Sequence, residues 1–205
     1  MNPSTMRHKA FQSWLAESDA NEHRQDPIDD LIGEHHLMTT VLAAMESETQ
    51  GLLAGRPLRN EFWAGVVDFN GNFVHLCHRV KEEIHLIPLL LDNGLLQPKE
   101  RDAIHREHES ARDMTLDLCR GVEQGDWERV MRIVSIYIHL LRPHMSHEEA
   151  GLFVTATSQL PAAAKTELRA AFAAVDQAAL AERGRQHYAA IASELAKLCG
   201  QTVDW

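Results

Sequence analysis

Twice in this chain a histidine stands four residues before a glutamate. The first pair is His78 and Glu82, within Cys77-His78-Arg79-Val80-Lys81-Glu82-Glu83; the second is His144 and Glu148, within His144-Met145-Ser146-His147-Glu148-Glu149. On a helix this spacing puts both side chains on one face. Each pair sits inside a strongly apolar segment, so an imidazole and a carboxylate point together toward a core, where a carboxylate without a cation is costly. Further histidines on two other apolar helical segments complete the pattern of a buried two-metal site between packed helices.

The chain has 205 residues, 44% of them hydrophobic, enough for a core that folds alone. Acidic residues outnumber basic ones 30 to 20, a formal charge of −10 with no block of like charge, which argues against nucleic acid or an anionic membrane as partner. The 13 histidines are the compositional anomaly. Cys77, Cys119 and Cys199 form no C-x-x-C pair, which fits a reducing compartment and argues against thiolate zinc or iron–sulfur sites. No apolar h-region follows the N-terminus, and no stretch is uncharged for long enough to span a bilayer, so a soluble cytoplasmic protein is expected.

Apolar periodicity is helical almost everywhere. Asp26-Pro27 reads as a cap and first helical position, opening a helix of roughly residues 27 to 54 that closes near Gly55 and Pro57. A second helix runs from about 58 to 92, with Pro88 kinking its last turns and Asn93-Gly94 as its stop. A third begins at Pro98 and fades between Gly121 and Gly125, and a fourth runs from an Asp126 cap to about Gln159. Short connections predict antiparallel neighbours, an all-α up-down-up-down four-helix bundle over residues 27–157. An N-terminal extension (1–26) holds a weak helical stretch around Phe11, Trp14 and Leu15. A C-terminal extension (158–205) reads as one helix or two broken at Gly184, covering an open face of the bundle.

Helical faces sort the histidines. The first helix has its seam at Ile28, Leu31, His35, Met38, Leu42 and Met45, which turns His35 inward and leaves His36 about 100° away. On the second, Val74, His78, Glu82 and Leu89 share a face, with His75 and His85 close to it. The third runs Ile104, His108, Ala111, Thr115 and Leu118, and the fourth Val130, Val134, Tyr137, Leu141, His144, Glu148 and Leu152. His36, His139 and His147 fall on solvent faces, Cys77 reads as a small core residue, and Lys81 and Glu83 as surface or outer groups.

These segments resemble the hemerythrin-like family of four-helix HHE cation-binding domains. Gly33-Glu34-His35 is similar to its first-helix element, and His78 to Glu83 with Ile87-Pro88 to its H-x-x-K-E-E and following proline segment. Glu107-His108-Glu109-Ser110-Ala111-Arg112 is similar to its E-H-E-x-x-R stretch, and His144 to Glu149 with Leu152-Phe153 to its final H-x-x-x-E-E-x-L-F. The resemblance implies two iron ions in a centre with an oxo or hydroxo bridge. His35, His78, His108 and His144 would be terminal ligands and Glu82 and Glu148 bridges.

Two departures from the oxygen-carrying members bear on function. Those proteins pair histidines four apart on the third helix, where this chain has Ile104, so only His105 could supply a fifth imidazole. They also place the last carboxylate five residues after its histidine, which would be Glu149. On a regular helix Glu148 lies about 40° from His144 and Glu149 about 140°, favouring Glu148 unless a π-bulge rotates the turn. His75 and His85 are further candidates as ligands or outer donors, and Tyr137 as a hydrogen-bonding or redox residue. Two six-coordinate irons offer about twelve positions, of which four imidazoles, two bridging carboxylates and a solvent bridge fill about ten. The resulting expectation is a protein that binds, senses or handles oxygen, nitric oxide or peroxide. Iron storage or donation for repair of iron centres, and a peroxide-degrading di-iron enzyme, are the alternatives.

Overall fold

The computed structural model describes residues 26–180 and 183–203. The N-terminal stretch around Phe11, Trp14 and Leu15 lies outside them. All regular structure among the described residues is helical. Helix α1 is Ile28–Leu53, α2 covers residues 60–92, α3 is Pro98–Gln124, α4 covers residues 127–159, α5 is Ala162–Leu180 and α6 is Gly184–Leu198. Local chemistry fixes several ends. Gln97 and Glu100 form a reciprocal capping box with Pro98 in the first turn of α3, and Gly125 closes that helix at φ 65°. The Asp126 carboxylate accepts from the Arg129 amide at 3.0 Å to start α4. Gly184, at φ 65°, opens α6.

Helix α2 is not the one regular α-helix that its sequence suggests, but changes its winding along its length. Between Asn60–Asp68 and Ile87–Asp92 it contains two π segments, Phe69–His78 and Lys81–Leu86. The buried residues show why. Val66, Asn70, Val74, His78, Glu82, Leu86 and Leu90 are all buried, spaced by four throughout. In an α-helix each step of four drifts by about 40°, so Leu90 would sit about 240° from Val66. Mixing α turns with wider i→i+5 turns holds the row on one face. Helix α4 repeats the device, with a π segment at Glu148–Leu152 and His144, Glu148, Leu152 and Ala156 buried in a row of fours.

Two apolar clusters fill the interior. The larger includes Leu37, Val41, Phe69, Phe73, Leu118 and Val134; the smaller includes Ile28, Leu86, Leu90, Leu152, Phe153 and Phe172. Between them on every one of the first four helices comes a buried polar layer: Glu34 and His35, His78 to Glu82, His108, and His144 to Glu148. Along α1 the chain meets the smaller cluster before this layer, and along α2 and α4 the larger one first. Helices α5 and α6 pack on this assembly, α6 along α1 and α5 against the π segments of α2. Arg59 clamps the end of α6, its side chain bonded to the buried Glu48 and donating to the Leu198 carbonyl at 3.1 Å. Among the described residues no helix is long and apolar enough to cross a membrane.

Candidate metal centre

The polar layer brings four imidazoles and two carboxylates to one point. His35 Nε2 lies 3.2 Å from His78 Nε2, and His108 Nε2 lies 3.0 Å from His144 Nε2. Two nitrogens bound to one metal at 2.0–2.1 Å and at right angles are about 3.0 Å apart, so each pair has the spacing of ligands sharing an ion. The carboxylates stand between the pairs. Glu82 turns Oε1 to His78 at 3.5 Å and Oε2 to His108 at 3.4 Å. Glu148 turns Oε2 to His144 at 3.2 Å and to His35 at 3.5 Å, with Oε1 3.9 Å from His108.

All six side chains are buried, and none of the four oxygens of Glu82 and Glu148 has a hydrogen bond of normal geometry. Buried carboxylate oxygens left this way are rare unless something else satisfies them. Two groupings could each hold an ion: His35, His78, Glu82 and Glu148, and His108, His144 and Glu148. The donor set of imidazole nitrogen and carboxylate oxygen suits iron, manganese or zinc.

Around this centre runs a closed ring of outer carboxylates. Glu34 on α1 accepts from His78 Nδ1 on α2 at 2.9 Å, and Glu83 on α2 accepts from His108 Nδ1 on α3 at 2.8 Å. Glu107 on α3 accepts from His144 Nδ1 on α4 at 2.8 Å, and Glu149 on α4 accepts from His35 Nδ1 on α1 at 3.2 Å. A carboxylate can only accept, so each ring carries a proton on Nδ1, and in its neutral form presents the Nε2 lone pair to the centre. Every outer acceptor is the sequence neighbour of an inner residue, and each serves the next helix round. Glu34 and Glu107 carry no face signal of their own in the sequence. Their place directly before His35 and His108 is the trace that could have identified them.

The remaining candidates separate cleanly. Glu148 is central and Glu149 sits in the outer ring, because the π segment begins at Glu148 itself and widens only the turn beyond it. His105, 41% exposed, points its Nδ1 at Glu83 from 3.2 Å instead of joining the centre. His75 bonds Thr115 at 3.0 Å, and His85 is half-buried and joins neither grouping. Tyr137 is buried in the larger apolar cluster, its hydroxyl without a hydrogen bond of normal geometry. His139 and His147 are exposed as expected, while His36 is half-buried. Lys81 corrects the reading of a surface or outer group. It is fully buried and paired with Glu34 and Asp176, because the widened turns of α2 carry it inward under α5.

Charge at the centre is strongly coupled. Burial alone would push His35 down, but the Glu148 and Glu149 carboxylates outweigh it and raise it to about 9. Burial opposes the same rise at His108, which Glu82 and Glu83 carry to about 10. Burial would raise Glu34, yet Lys81 and His78 hold it at about 2; Glu82 is likewise held at about 2 by His78 and His108. The raised histidines stabilise the metal-free fold fully below their ordinary 6.5 and lose that contribution as pH rises through about 9 to 10. The lowered glutamates contribute above their ordinary 4.5 and lose it as pH falls toward about 2. Metal-free protein is therefore expected to be most stable between pH 4.5 and 6.5 and to weaken steadily to pH 10, measured by denaturant midpoints; a flat profile from 6.5 to 10 would contradict the charge assignment.

Among the described residues the two faces of the centre differ. On the His35 face, the Phe153 ring packs against the imidazole with centroids 5.1 Å apart. On the His144 face, a cavity of about 310 Å³ opens between α3 and α4, reaching His144 and Glu148 past Leu96, Ile104, Gly151 and Leu152.

Comparison with known proteins agrees with the geometry. The family model described as the hemerythrin HHE cation-binding domain matches residues 26–156, a span that contains every residue of the inner set and the outer ring. No curated protein and no solved structure matches the chain.

Proposed function

The chain belongs to the hemerythrin HHE cation-binding family, and from that premise we propose that it is a non-haem di-iron protein that binds, senses or handles a small molecule such as oxygen, nitric oxide or peroxide. In this reading His35 and His78 would hold one iron and His108 and His144 the other, with Glu82 and Glu148 supplying the carboxylates between them. The observation that carries it is the set of four buried carboxylate oxygens without hydrogen bonds, facing four Nε2 atoms in two close pairs. An up-down-up-down course for the first four helices is supported by the alternating order in which they meet the two apolar clusters.

When bound, two ferrous ions would supply Lewis acidity and electrons to a small molecule beside them. The protein's own part is positional. The outer ring holds each imidazole in one tautomer, the two apolar clusters exclude water along the bundle axis, and Phe153 shields the His35 side. Ile104 stands one turn before His108 and walls the open cavity with an apolar surface. A site held between two apolar clusters and reached by a cavity beside His144 suits retention of metal with exchange of a small ligand more than the loading and release of iron that storage requires.

Anaerobic titration with ferrous iron tests the reading. About two ions per chain are expected, His78→Ala and His144→Ala should each reduce that number sharply, and His36→Ala should leave it intact. Iron binding indifferent to the first two changes would remove the site.

The cavity yields a separate expectation. Outside its chain neighbours and its own helix backbone, no atom lies within 4 Å of a side-chain carbon added at Gly151, so leucine there projects into open space with little cost to the fold. Gly151→Leu should leave iron content unchanged and slow nitric oxide association at least about tenfold in stopped-flow mixing, the scale of blocking a required path. An unchanged rate would place the path elsewhere.

A further inference from the structure

The matched family span ends at residue 156, yet α5 and α6, beyond it, reach the candidate centre through an unbroken run of charged side chains, most of them buried. Asp176 on α5 places Oδ1 2.6 Å from Lys81 Nζ. Lys81 is fully buried, lies over the Phe172 ring at 5.7 Å, and donates in turn to Glu34 Oε1. The other oxygen of Glu34 accepts from His78 Nδ1 at 2.9 Å, and His78 Nε2 faces the centre. At the far end Asp176 Oδ2 accepts from Arg185 Nε on α6 at 3.0 Å, and Arg185 also meets Asp30 at 3.2 Å. Cys77 donates to Asp176 Oδ1 at 3.1 Å. Glu34, Cys77 and Asp176 group closely enough to suggest a second cation site, but Lys81 already supplies the cation between the two carboxylates.

We infer that Asp176 is a positioning residue of the His35/His78 half of the centre, acting through Lys81 and Glu34 on His78. The inference rests on the proposed role of His78 in holding metal. A buried ammonium shared by two carboxylates draws less on either than one facing a single partner. Asp176 thus takes up part of the Lys81 charge and leaves Glu34 a stronger acceptor for the His78 proton, which makes Nε2 a better donor to a cation. Arg185 opposes this by drawing on Asp176. The two residues should therefore affect metal affinity with opposite signs, although both join the same hydrogen-bonded cluster.

The test is equilibrium titration of the full-length metal-free protein with ferrous iron under anaerobic chelator competition. Asp176→Asn should weaken one of two bound irons by about tenfold, the lower end of what loss of an outer partner costs, and Asp176→Glu should restore it. Arg185→Gln should tighten the same iron. A merely structural role would weaken binding in both variants in step with thermal stability, and that pattern, or an affinity unchanged in Asp176→Asn, overturns the inference. Should Asp176→Asn not fold, Arg185→Gln decides alone, since unchanged or weaker binding there has the wrong sign. Wild-type protein that binds no iron would instead remove the di-iron reading itself.

Discussion

Alanine at Glu148 should weaken iron binding by at least about a hundredfold, whereas alanine at Glu149 should cost only about tenfold. The first figure follows from removing one partner of a buried charged set, about 3 to 5 kcal/mol, and the second from losing an outer hydrogen bond to a ligating imidazole. The two glutamates are neighbours in sequence but not in role. Glu148 is 3% exposed with both oxygens free of hydrogen bonds and turned to His35, His144 and His108, while Glu149 meets His35 on the Nδ1 side, away from the centre. Glu82→Ala should match Glu148→Ala, because its two oxygens face one histidine of each pair. Competition titration with a chelator of known affinity measures all three. Equal losses at Glu148 and Glu149 would mean that the bridge is shared between them.

Removing metal should have the other large effect. Metal that binds the folded chain and not the unfolded one stabilises it by mass action, about 4 kcal/mol for each site held at a thousandfold over its dissociation constant. For a chain of this size each kcal/mol moves the melting temperature by roughly 2 to 4 °C, so stripping both ions should lower it by about 15 to 30 °C. The loss should grow as pH rises above 6.5, since protons on His35 and His108 partly replace the missing cations at lower pH. Thermal unfolding followed by circular dichroism, with and without chelator, gives the comparison. A shift of only a few degrees would mean that the six inner groups are satisfied without metal.

The helices, their ends and the inward histidines were legible because each depends on local rules. Pro98, Gly125 and Asp126 punctuate through backbone geometry alone, and the seams on α1, α3 and α4 follow from ordinary helical spacing. His35, His78, His108 and His144 with Glu82 and Glu148 could be singled out because a buried polar face in an apolar segment is anomalous wherever it occurs. The π segments of α2 were readable in principle, since Val74, His78, Glu82, Leu86 and Leu90 repeat every four residues where a regular α-helix needs threes and fours mixed. The closure of the outer ring from helix to helix was hidden because it depends on how neighbouring helices are rotated against each other. Lys81 was misplaced for a related reason. Lysine belongs at the surface unless paired, and its partner Asp176 stands on a helix that carries no motif.

Iron-edge anomalous diffraction from crystals loaded anaerobically with ferrous iron tests the central claim most directly. Two peaks are expected in the polar layer, one against His35 and His78 and the other against His108 and His144, with Glu82 and Glu148 between them. A single peak, or peaks outside the ring formed by Glu34, Glu83, Glu107 and Glu149, would contradict it.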